Sequence, residues 1–346
     1  MRALVIHGIH DLRVDARETS APQSGEVEVA IAVGGICGSD LHYYHAGGVG
    51  DFKLRQPMTL GHEVVGRLAR VGPGVSGLET GMRVGIHPGR PCGVCEYCAG
   101  QRANLCAEVR FLGSAARFPH VQGGFSEYLV VSADQIVPLP DHLSFATAVF
   151  AEPLAVGLHA IRQAGDVRGR SVLVSGAGPI GAMVVLAAAH AGAARIVATD
   201  IVDEPLAVAR RLGATHTVNV RDLTTESLPE VDVAIEASGS GAGVTACLEA
   251  VRRGGRLVLV GMPGGTPPTP LFLVVSREIH VVGSYRYTTE YAEAVGALAA
   301  GLDVSPLLSA SYALERAEDA FTLASDRTRA MKVQLEFEAM PASGCP

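Results

Sequence analysis

The stretch SVLVSGAGPIG, residues 171–181, decides the fold of the second half of this 346-residue chain. Its first five residues form an apolar run of strand length, and a helical apolar stretch follows Gly181. Between them lies the pattern GxGxxG, whose glycines allow a tight turn and let the backbone approach a pyrophosphate at a helix N-terminus. The residues expected to line this dinucleotide site are Gly176, Gly178, Pro179, Ile180 and Gly181.

A second apolar run ends at Asp200, 22 residues after Gly178. A carboxylate at this place accepts hydrogen bonds from the adenosine ribose and repels a 2′-phosphate. Asp203 and Glu204 add negative charge, and the sequence shows no arginine beside Asp200. We therefore expect NAD to be preferred over NADP. The alternative interpretation is a glycine turn followed by an acidic strand end that arose by chance.

The pattern around this stretch differs between the two halves of the chain. From about residue 144 to residue 285, apolar runs alternate with helical stretches, which indicates βαβ units and a parallel sheet. The first 145 residues instead contain short β-type runs such as EVEVAIAVGGI, separated by Gly, Pro and charged clusters. The segment AMKVQLEFE near the C-terminus is again β-like. An α/β protein of two domains is therefore predicted.

Composition excludes several classes of protein. Hydrophobic residues make up 48% and charged residues 18%, enough for a large core, and the net charge is −7. Basic residues are scattered, so a nucleic-acid partner is not expected. No segment approaches the ~20 apolar residues of a membrane helix, and the N-terminus is a poor secretory leader. We expect a cytoplasmic protein with no membrane partner.

Four of the seven cysteines crowd into fifteen residues, and they are Cys92, Cys95, Cys98 and Cys106. Clustered cysteines in a reducing compartment hold metal more often than they form disulfides. Four thiolates can enclose one tetrahedral zinc ion, which would be structural and closed to substrate. An iron–sulfur cluster and disulfides remain as alternatives.

Three further segments contain possible catalytic or metal-ligating residues, but none of them indicates a functional site by itself. They are GICGSD with Cys37, GHE with His62 and Glu63, and AEP with Glu152. Together with the four cysteines and the glycine turn, in this order, they resemble the zinc-dependent medium-chain dehydrogenase family over nearly the whole chain. The resemblance implies a GroES-like, mostly-β catalytic domain at residues 1–147 and 286–346. A Rossmann domain with a doubly wound parallel sheet is implied at 148–285, with the active site in the cleft between the two.

The resemblance also implies roles for individual residues. Cys37, His62 and Glu152 match the ligands of a catalytic zinc, and Glu63 is the alternative carboxylate ligand. Asp40 matches the carboxylate that orients a zinc-bound histidine. Ser39 matches a proton-relay hydroxyl, with His42 as its outer partner. Two zinc ions and NAD are thus the implied cofactors.

Other segments resemble the polyol and aldonate branch of that family. The residues that match its substrate pocket are Tyr43, Phe111, Arg286 and Tyr287. A pocket with Tyr, Arg and Glu suits a small molecule with many hydroxyls, either a sugar acid or a polyol such as sorbitol or xylitol. The implied reaction is hydride transfer from a secondary alcohol to NAD. A salt bridge at the surface or at an interface is the alternative for Arg286.

Two other classes of protein are alternatives to a zinc-dependent dehydrogenase, and each would lack residues that this chain has. A zinc-free quinone reductase of the same superfamily would typically lack the four cysteines and the Cys/His/Glu set, which this chain has. A non-catalytic, nucleotide-binding member would have lost a ligand or relay residue, and none is lost.

The family forms homodimers and homotetramers through its dinucleotide-binding domain. We therefore expect a homo-oligomer, with strands near residues 271–275 and 279–282 as candidate interface strands.

Overall fold

The computed structural model describes residues 1–223, 228–262 and 265–337, so the tail of the expected first domain, 338–346, lies outside the described residues. A mostly antiparallel sheet and a six-stranded parallel sheet organise the chain. The predicted α/β class, with a β-rich first part and a Rossmann-type second part, is confirmed.

Short strands dominate the first 140 residues, and strands alternate with helices after that. The strands are β1 Arg2–Gly8, β2 Asp11–Ala16, β3 Glu26–Gly35, β4 Gly48–Val49, β5 Phe52–Lys53, β6 Met58–Thr59, β7 Glu63–Val71, β8 Arg83–Ile86, β9 Gly89–Arg90, β10 Arg110–Phe111, β11 Tyr128–Ser132, β12 Ile136–Pro138, β13 Ser171–Ser175, β14 Arg195–Asp200, β15 His216–Asn219, β16 Val231–Glu236, β17 Val251–Leu259, β18 His280–Gly283, β19 Leu308–Ala313 and β20 Lys332–Glu336. The helices are α1 Gly38–Ala46, α2 Glu96–Ala99, α3 Phe145–Ala148, α4 Ala151–Ala164, α5 Pro179–His190, α6 Asp203–Arg211, α7 Gly241–Ala250, α8 Leu271–Arg277, α9 Glu290–Ala299 and α10 Ala317–Ser325. Short 3₁₀ turns lie at Ala103–Leu105, Ala133–Gln135, Ser305–Leu307 and Leu314–Arg316.

Strand β3 is the centre of the first sheet, because β7, β11 and β20 all pair with it in antiparallel fashion. Its residues Val27, Val29 and Ile31 alternate towards the core and are fully buried. That period of two is what a strand with one core-facing side requires. Since β20 comes from the C-terminal segment, the chain returns to the first sheet after the parallel one, as the β-like sequence there predicts.

The parallel sheet has the order β15-β14-β13-β16-β17-β18. The strand order reverses between β13 and β16, and ligands of such sheets bind outside the carboxyl ends of the strands at this switch point. The glycine turn follows β13 directly, so the fold brings the predicted dinucleotide site to this crevice. Val172, Val174, Val233 and Ile235 are buried on both strands, as expected for a sheet covered on both faces.

The first helical part after the β-rich half consists of two helices, since α3 and α4 are separated at Val149 and Phe150. Helix α4 packs against α5 of the parallel sheet and against α9. A buried bond joins the latter pair: His159 Nδ1 lies 2.8 Å from Oε1 of Glu290, which is 0% exposed. The segment after 286 thus packs on α4 before it joins the first sheet, and the boundary at 286 stays a prediction.

One of the expected interface strands is wrong. Residues 271–275 belong to helix α8, which starts after Pro270, whereas the strand expected at 279–282 is β18. A five-residue apolar run cannot distinguish strand from helix by periodicity. The apolar side chains of α8 are unusually exposed, with Leu271, Phe272 and Val275 at 65%, 78% and 79%.

Within the part of the chain that the structure describes, every helix is too short or too polar to span a lipid bilayer.

Candidate active site

The segments with Cys37 and with His62 and Glu63 meet at the end of the first sheet. Cys37 follows β3, Glu63 begins β7, and the β3–β7 ladder pairs Gly35 with Glu63. The ligand atoms of Cys37, His62 and Glu63 all lie within 4.8 Å of one another. A thiolate, an imidazole and a carboxylate at this separation fit a single zinc ion that keeps further positions open.

Two features hold these segments in register. Asp40 is buried, and its carboxylate accepts hydrogen bonds from the backbone N–H of Cys37 at 2.9 Å and of Gly61 at 3.1 Å. It therefore joins the segment of Cys37 to the segment of His62 through their backbones. At Gly35, a Cβ atom would stand only 2.2 Å from Oε2 of Glu63, so any larger residue there would have to displace that carboxylate.

The charge around His62 favours a cation. Burial alone would lower the pKa of His62, but the nearby Cys37, Asp40 and Glu152 raise it to about 10. The proton is stabilised there because several anionic groups converge on one buried position. A divalent metal can satisfy the same excess of negative charge.

Lys332 was not anticipated as part of this site. Its buried Nζ donates to both carboxylate oxygens of Glu63, at 2.7 and 2.8 Å, and to the carbonyl of Ile36 at 3.1 Å. A signal for it exists in the sequence, since the chain has only two lysines and Lys332 stands among apolar residues of a strand. Glu63 thus has a buried cationic partner that holds its carboxylate in place.

Glu152 lies outside the three-residue cluster and bonds to another predicted site residue. It sits in the first turn of α4, and Oε1 accepts a hydrogen bond from the Tyr287 hydroxyl at 3.0 Å. Burial raises the pKa of Glu152 to about 7, although His62 opposes this effect. The structure therefore groups Glu63, rather than Glu152, with Cys37 and His62, while Glu152 stays within electrostatic reach.

The sulfur atoms of the four clustered cysteines converge on one point. Sγ of Cys98 lies 3.9 Å from Sγ of Cys92 and 3.5 Å from Sγ of Cys95, and the backbone N–H of Cys92 points at Sγ of Cys106. Four sulfurs at ~2.3 Å from a zinc ion would lie about 3.8 Å apart. All four thiols are free, and disulfide sulfurs would be separated by only ~2 Å. The geometry therefore favours one enclosed metal ion over disulfides.

We expect Cys95→Ala to destabilise the fold, because a closed site contributes its metal-binding energy to folding. A loss of about 2–4 kcal/mol would lower the unfolding temperature by roughly 3–6 °C. Thermal unfolding and zinc analysis of the purified variant measure this, with Cys247→Ala, a buried cysteine outside the cluster, as the control. A variant that unfolds like the wild type with both zinc ions retained would contradict the assignment.

The glycine turn has the form of a phosphate cradle. Gly176 has φ +89°, and Gly178 is the N-cap of α5, whose first residue is Pro179. A Cβ on Gly181 would stand 1.7 Å from the carbonyl oxygen of Gly176, so the turn closes only with glycine there. A cavity of about 820 Å³ opens beside it, lined by residues that include Gly176, Asp200 and Ser238.

Asp200 lies at the wall of this cavity with its side chain 3% exposed. It accepts hydrogen bonds from the backbone N–H of Ala177, Ile201 and Val202. The expectation that no arginine lies beside it is wrong. Arg327 Nη2 stands 3.0 Å from Oδ2 and 3.3 Å from Oδ1, although it is 127 residues away in the chain. The fold supplies a cation that the local sequence does not show.

Three of the four predicted substrate residues lie around a second cavity of about 370 Å³, which Phe111, Arg286 and Tyr287 line. The Phe111 ring is 5.4 Å from the His62 ring, so this cavity adjoins the metal-ligand cluster. The Arg286 guanidinium stacks over Phe111 at 4.8 Å and over Tyr285 at 4.7 Å. Burial lowers the pKa of Arg286, and among the described residues it has no ion pair. Such a cation is available to an anion in the cavity.

The remaining predicted residues lie on α1. Tyr43 is 2% exposed within the β-domain core, and its hydroxyl accepts a hydrogen bond from the N–H of Ala115, which argues against a substrate contact. Ser39 is half-buried and His42 is exposed. They are three residues apart on one helix, so they share a face.

Two family models match the chain in the regions of these two sites. Residues 23–141 match the alcohol dehydrogenase GroES-like domain, and residues 179–300 match the zinc-binding dehydrogenase domain. L-idonate 5-dehydrogenase (NAD(P)(+)) of Escherichia coli K12 is 44% identical over 314 residues, 89% of this chain and 91% of that protein. The chain belongs to the zinc-dependent alcohol dehydrogenase family. It is accordingly an oxidoreductase that acts on CH–OH groups, as the resemblance in its sequence implies.

Further relatives agree with this membership. Sorbitol dehydrogenase of Bacillus subtilis is 36% identical over 331 residues, 92% of each chain. The crystal structure of the Escherichia coli L-idonate 5-dehydrogenase superposes with a TM-score of 0.93 at 41% identity, covering 97% of this chain and 98% of that one. Zinc and NAD(P) are the typical cofactors of this zinc-dependent alcohol dehydrogenase family.

Proposed function

We propose that this dehydrogenase oxidises the secondary hydroxyl at C5 of L-idonate with NAD, which gives 5-ketogluconate, NADH and a proton. The observation that carries the proposal is the guanidinium of Arg286, which has no ion pair among the described residues and lines the cavity near His62. A carboxylate at the far end of a six-carbon substrate would complete this cation with a charge-assisted pair, which a guanidinium can make bidentate. The relative named L-idonate 5-dehydrogenase, at 44% identity, supports the same substrate.

The residues in and around the cluster of Cys37, His62 and Glu63 would have separate roles in this reaction. Cys37 and His62 would hold a catalytic zinc, with Glu63 or Glu152 as the third ligand. Zinc bound there supplies a Lewis acid that lowers the pKa of an alcohol, and NAD accepts the hydride. Lys332 fixes Glu63, and Asp40 fixes the two backbone segments, so the ligand atoms stay close to one another.

Proton removal is assigned to α1. Ser39 stands two residues after Cys37 and would take the hydroxyl proton, and His42 on the same helix face would pass it to solvent. The Glu152 carboxyl, with its pKa raised to about 7, can also exchange a proton near neutral pH. Its hydrogen bond from Tyr287 connects it to a residue that lines the cavity in which the substrate would bind.

The second candidate is a polyol dehydrogenase for sorbitol or xylitol. The paired hydroxyl and carboxylate of Tyr287 and Glu152 favour it, because they can bind neutral hydroxyl groups as well as a sugar acid. The relatives at 35–36% identity are named sorbitol dehydrogenases. In that case Arg286 would bind a hydroxyl group.

A substrate panel separates the two candidates. Initial rates of NADH formation are measured with L-idonate, L-iditol, sorbitol and xylitol under one set of conditions. L-idonate and L-iditol are a matched pair, since they differ only in a carboxylate against a hydroxymethyl group. We expect kcat/KM to be largest for L-idonate. A larger value for L-iditol or sorbitol would favour the polyol candidate.

We also propose that the chain forms a homodimer or homotetramer through the edge of the parallel sheet. Strand β18 is paired with β17 on one side only among the described residues, and the exposed Leu271, Phe272 and Val275 lie on the neighbouring helix α8. Exposed apolar side chains grouped beside an open strand edge are typical of an interface. Sedimentation velocity tests this proposal, and a monomer at micromolar concentration would contradict it.

A further inference from the structure

The contact between Asp200 and Arg327 joins the two parts of the fold. Asp200 ends β14 in the parallel sheet, whereas Arg327 lies on the loop between α10 and β20, which belong with the first sheet. The guanidinium therefore reaches across the cleft to the carboxylate that the sequence assigns to the adenosine ribose. Both residues line the cavity of about 820 Å³ beside the glycine turn.

Arg327 has unused hydrogen-bonding capacity in this position. Its side chain is 52% exposed, while that of Asp200 is 3% exposed. Only Nη2 contacts Asp200, and the other guanidinium nitrogens have no hydrogen-bond partner among the described residues. Asp200 is already held by three backbone N–H groups, so it does not depend on Arg327 to stay in place.

The guanidinium also lies close to the turn that would hold the cofactor. An ideal Cβ on Gly178 would stand 3.7 Å from Nη2 of Arg327. The cation is thus between the ribose-binding carboxylate and the pyrophosphate-binding turn. The Asp200 carboxylate alone would repel a 2′-phosphate on the ribose, because both are negatively charged. The Asp200–Arg327 pair has nearly zero net charge, so the pair repels the phosphate far less.

We infer that Arg327 is the residue that receives the 2′-phosphate when NADP occupies this pocket, although Asp200 ends its second strand. When the adenosine half of NADP enters, the free 3′-hydroxyl of its ribose donates to an oxygen of Asp200, and the exposed guanidinium turns to the 2′-phosphate as a charge-assisted partner. This inference rests on the proposed function only in that the pocket binds a dinucleotide. It concerns neither the metal nor the alcohol substrate.

Binding of two mononucleotides tests the inference without turnover. Isothermal titration calorimetry compares adenosine 2′,5′-bisphosphate with 5′-AMP, which lacks the 2′-phosphate, on the wild type and on Arg327→Met. We expect Arg327→Met to weaken binding of the bisphosphate about 10- to 100-fold more than binding of 5′-AMP. Arg327→Lys should recover part of the difference, because it keeps the charge.

Arg329→Met is the matched control, since Arg329 is exposed on the same loop and lies two residues further on. It should leave both affinities within about threefold of the wild type, and unfolding curves of all variants check the fold. Equal losses on both nucleotides in Arg327→Met would assign Arg327 to the 5′-phosphate side and overturn the inference. No loss on either, or no binding of the bisphosphate by the wild type, would reduce the contact to an ion pair between domains and overturn it too.

Discussion

His62→Ala is expected to lower kcat/KM for the alcohol substrate by at least about 1000-fold while the chain stays folded. Loss of a group that merely orients a metal ligand costs 10- to 100-fold, so loss of a ligand itself costs more. Among the described residues, His62 forms this cluster with Cys37 and Glu63, and the four-cysteine site is separate from it. Zinc per chain should fall from near two to near one, with cooperative thermal unfolding retained.

The control for this variant is His120→Ala. His120 is buried to a similar degree, 4% against 6% for His62, but it accepts a hydrogen bond from the backbone of Arg55 away from the cluster. It should keep both zinc ions and most of the activity. If His62→Ala retained two zinc ions and ordinary rates, the assignment of the catalytic metal to this cluster would be wrong.

Arg286→Met is expected to distinguish a sugar acid from a polyol. The loss in kcat/KM should be roughly 10-fold larger for L-idonate than for L-iditol or sorbitol, because a hydrogen bond to a charged group is worth about 1.5–3 kcal/mol and one to a neutral group about 0.5–1.5. Methionine keeps most of the apolar length of the side chain but removes the guanidinium that stacks on Phe111, and the difference between the two substrate classes reports the charge.

Arg90 offers a matched substitution, since it lines the same cavity but is exposed. Arg90→Met should affect all substrates alike and weakly. Equal losses on both substrate classes in Arg286→Met would make Arg286 a hydroxyl contact and favour sorbitol or xylitol. If neither rate changed, Arg286 would have no contact with the substrate.

The sequence predicts those parts of the fold and the site that depend on local pattern. The run from Ser171 to Gly181 contains a strand, a glycine turn and a helix start within eleven residues, and the structure has all three. The four cysteines lie within one short loop, so their convergence also needs little of the rest of the fold. In both cases the chemistry and the geometry come from neighbouring residues.

Contacts between distant segments could not be predicted in this way. Lys332 and Glu63 are 269 residues apart, and Arg327 and Asp200 are 127 apart. These pairs form only because β20 returns to the first sheet and places its flanking residues beside the cleft. Cofactor preference is predicted from the residues that follow the acidic end of the second strand. Such a prediction does not detect a cation that comes from a distant segment, as Arg327 does.

Burial and packing also determine the location of single side chains and the secondary structure of short segments, which the sequence pattern does not predict. Tyr43 matches a pocket position by resemblance, yet its ring lies in the core and its hydroxyl is already bonded. Residues 271–275 have strand-like composition, but a helix forms after Pro270. Short apolar runs are ambiguous between the two states, and tertiary contacts select one of them.

The most direct test of the central claim uses L-idonate that carries deuterium at C5. The wild-type enzyme is incubated with this substrate and NAD, and both products are analysed by mass spectrometry and NMR. We expect deuterium to leave C5 as the hydride and to be found in the reduced nicotinamide, while the sugar acid becomes 5-ketogluconate. NADH without deuterium, or no NADH at all from L-idonate, would contradict it.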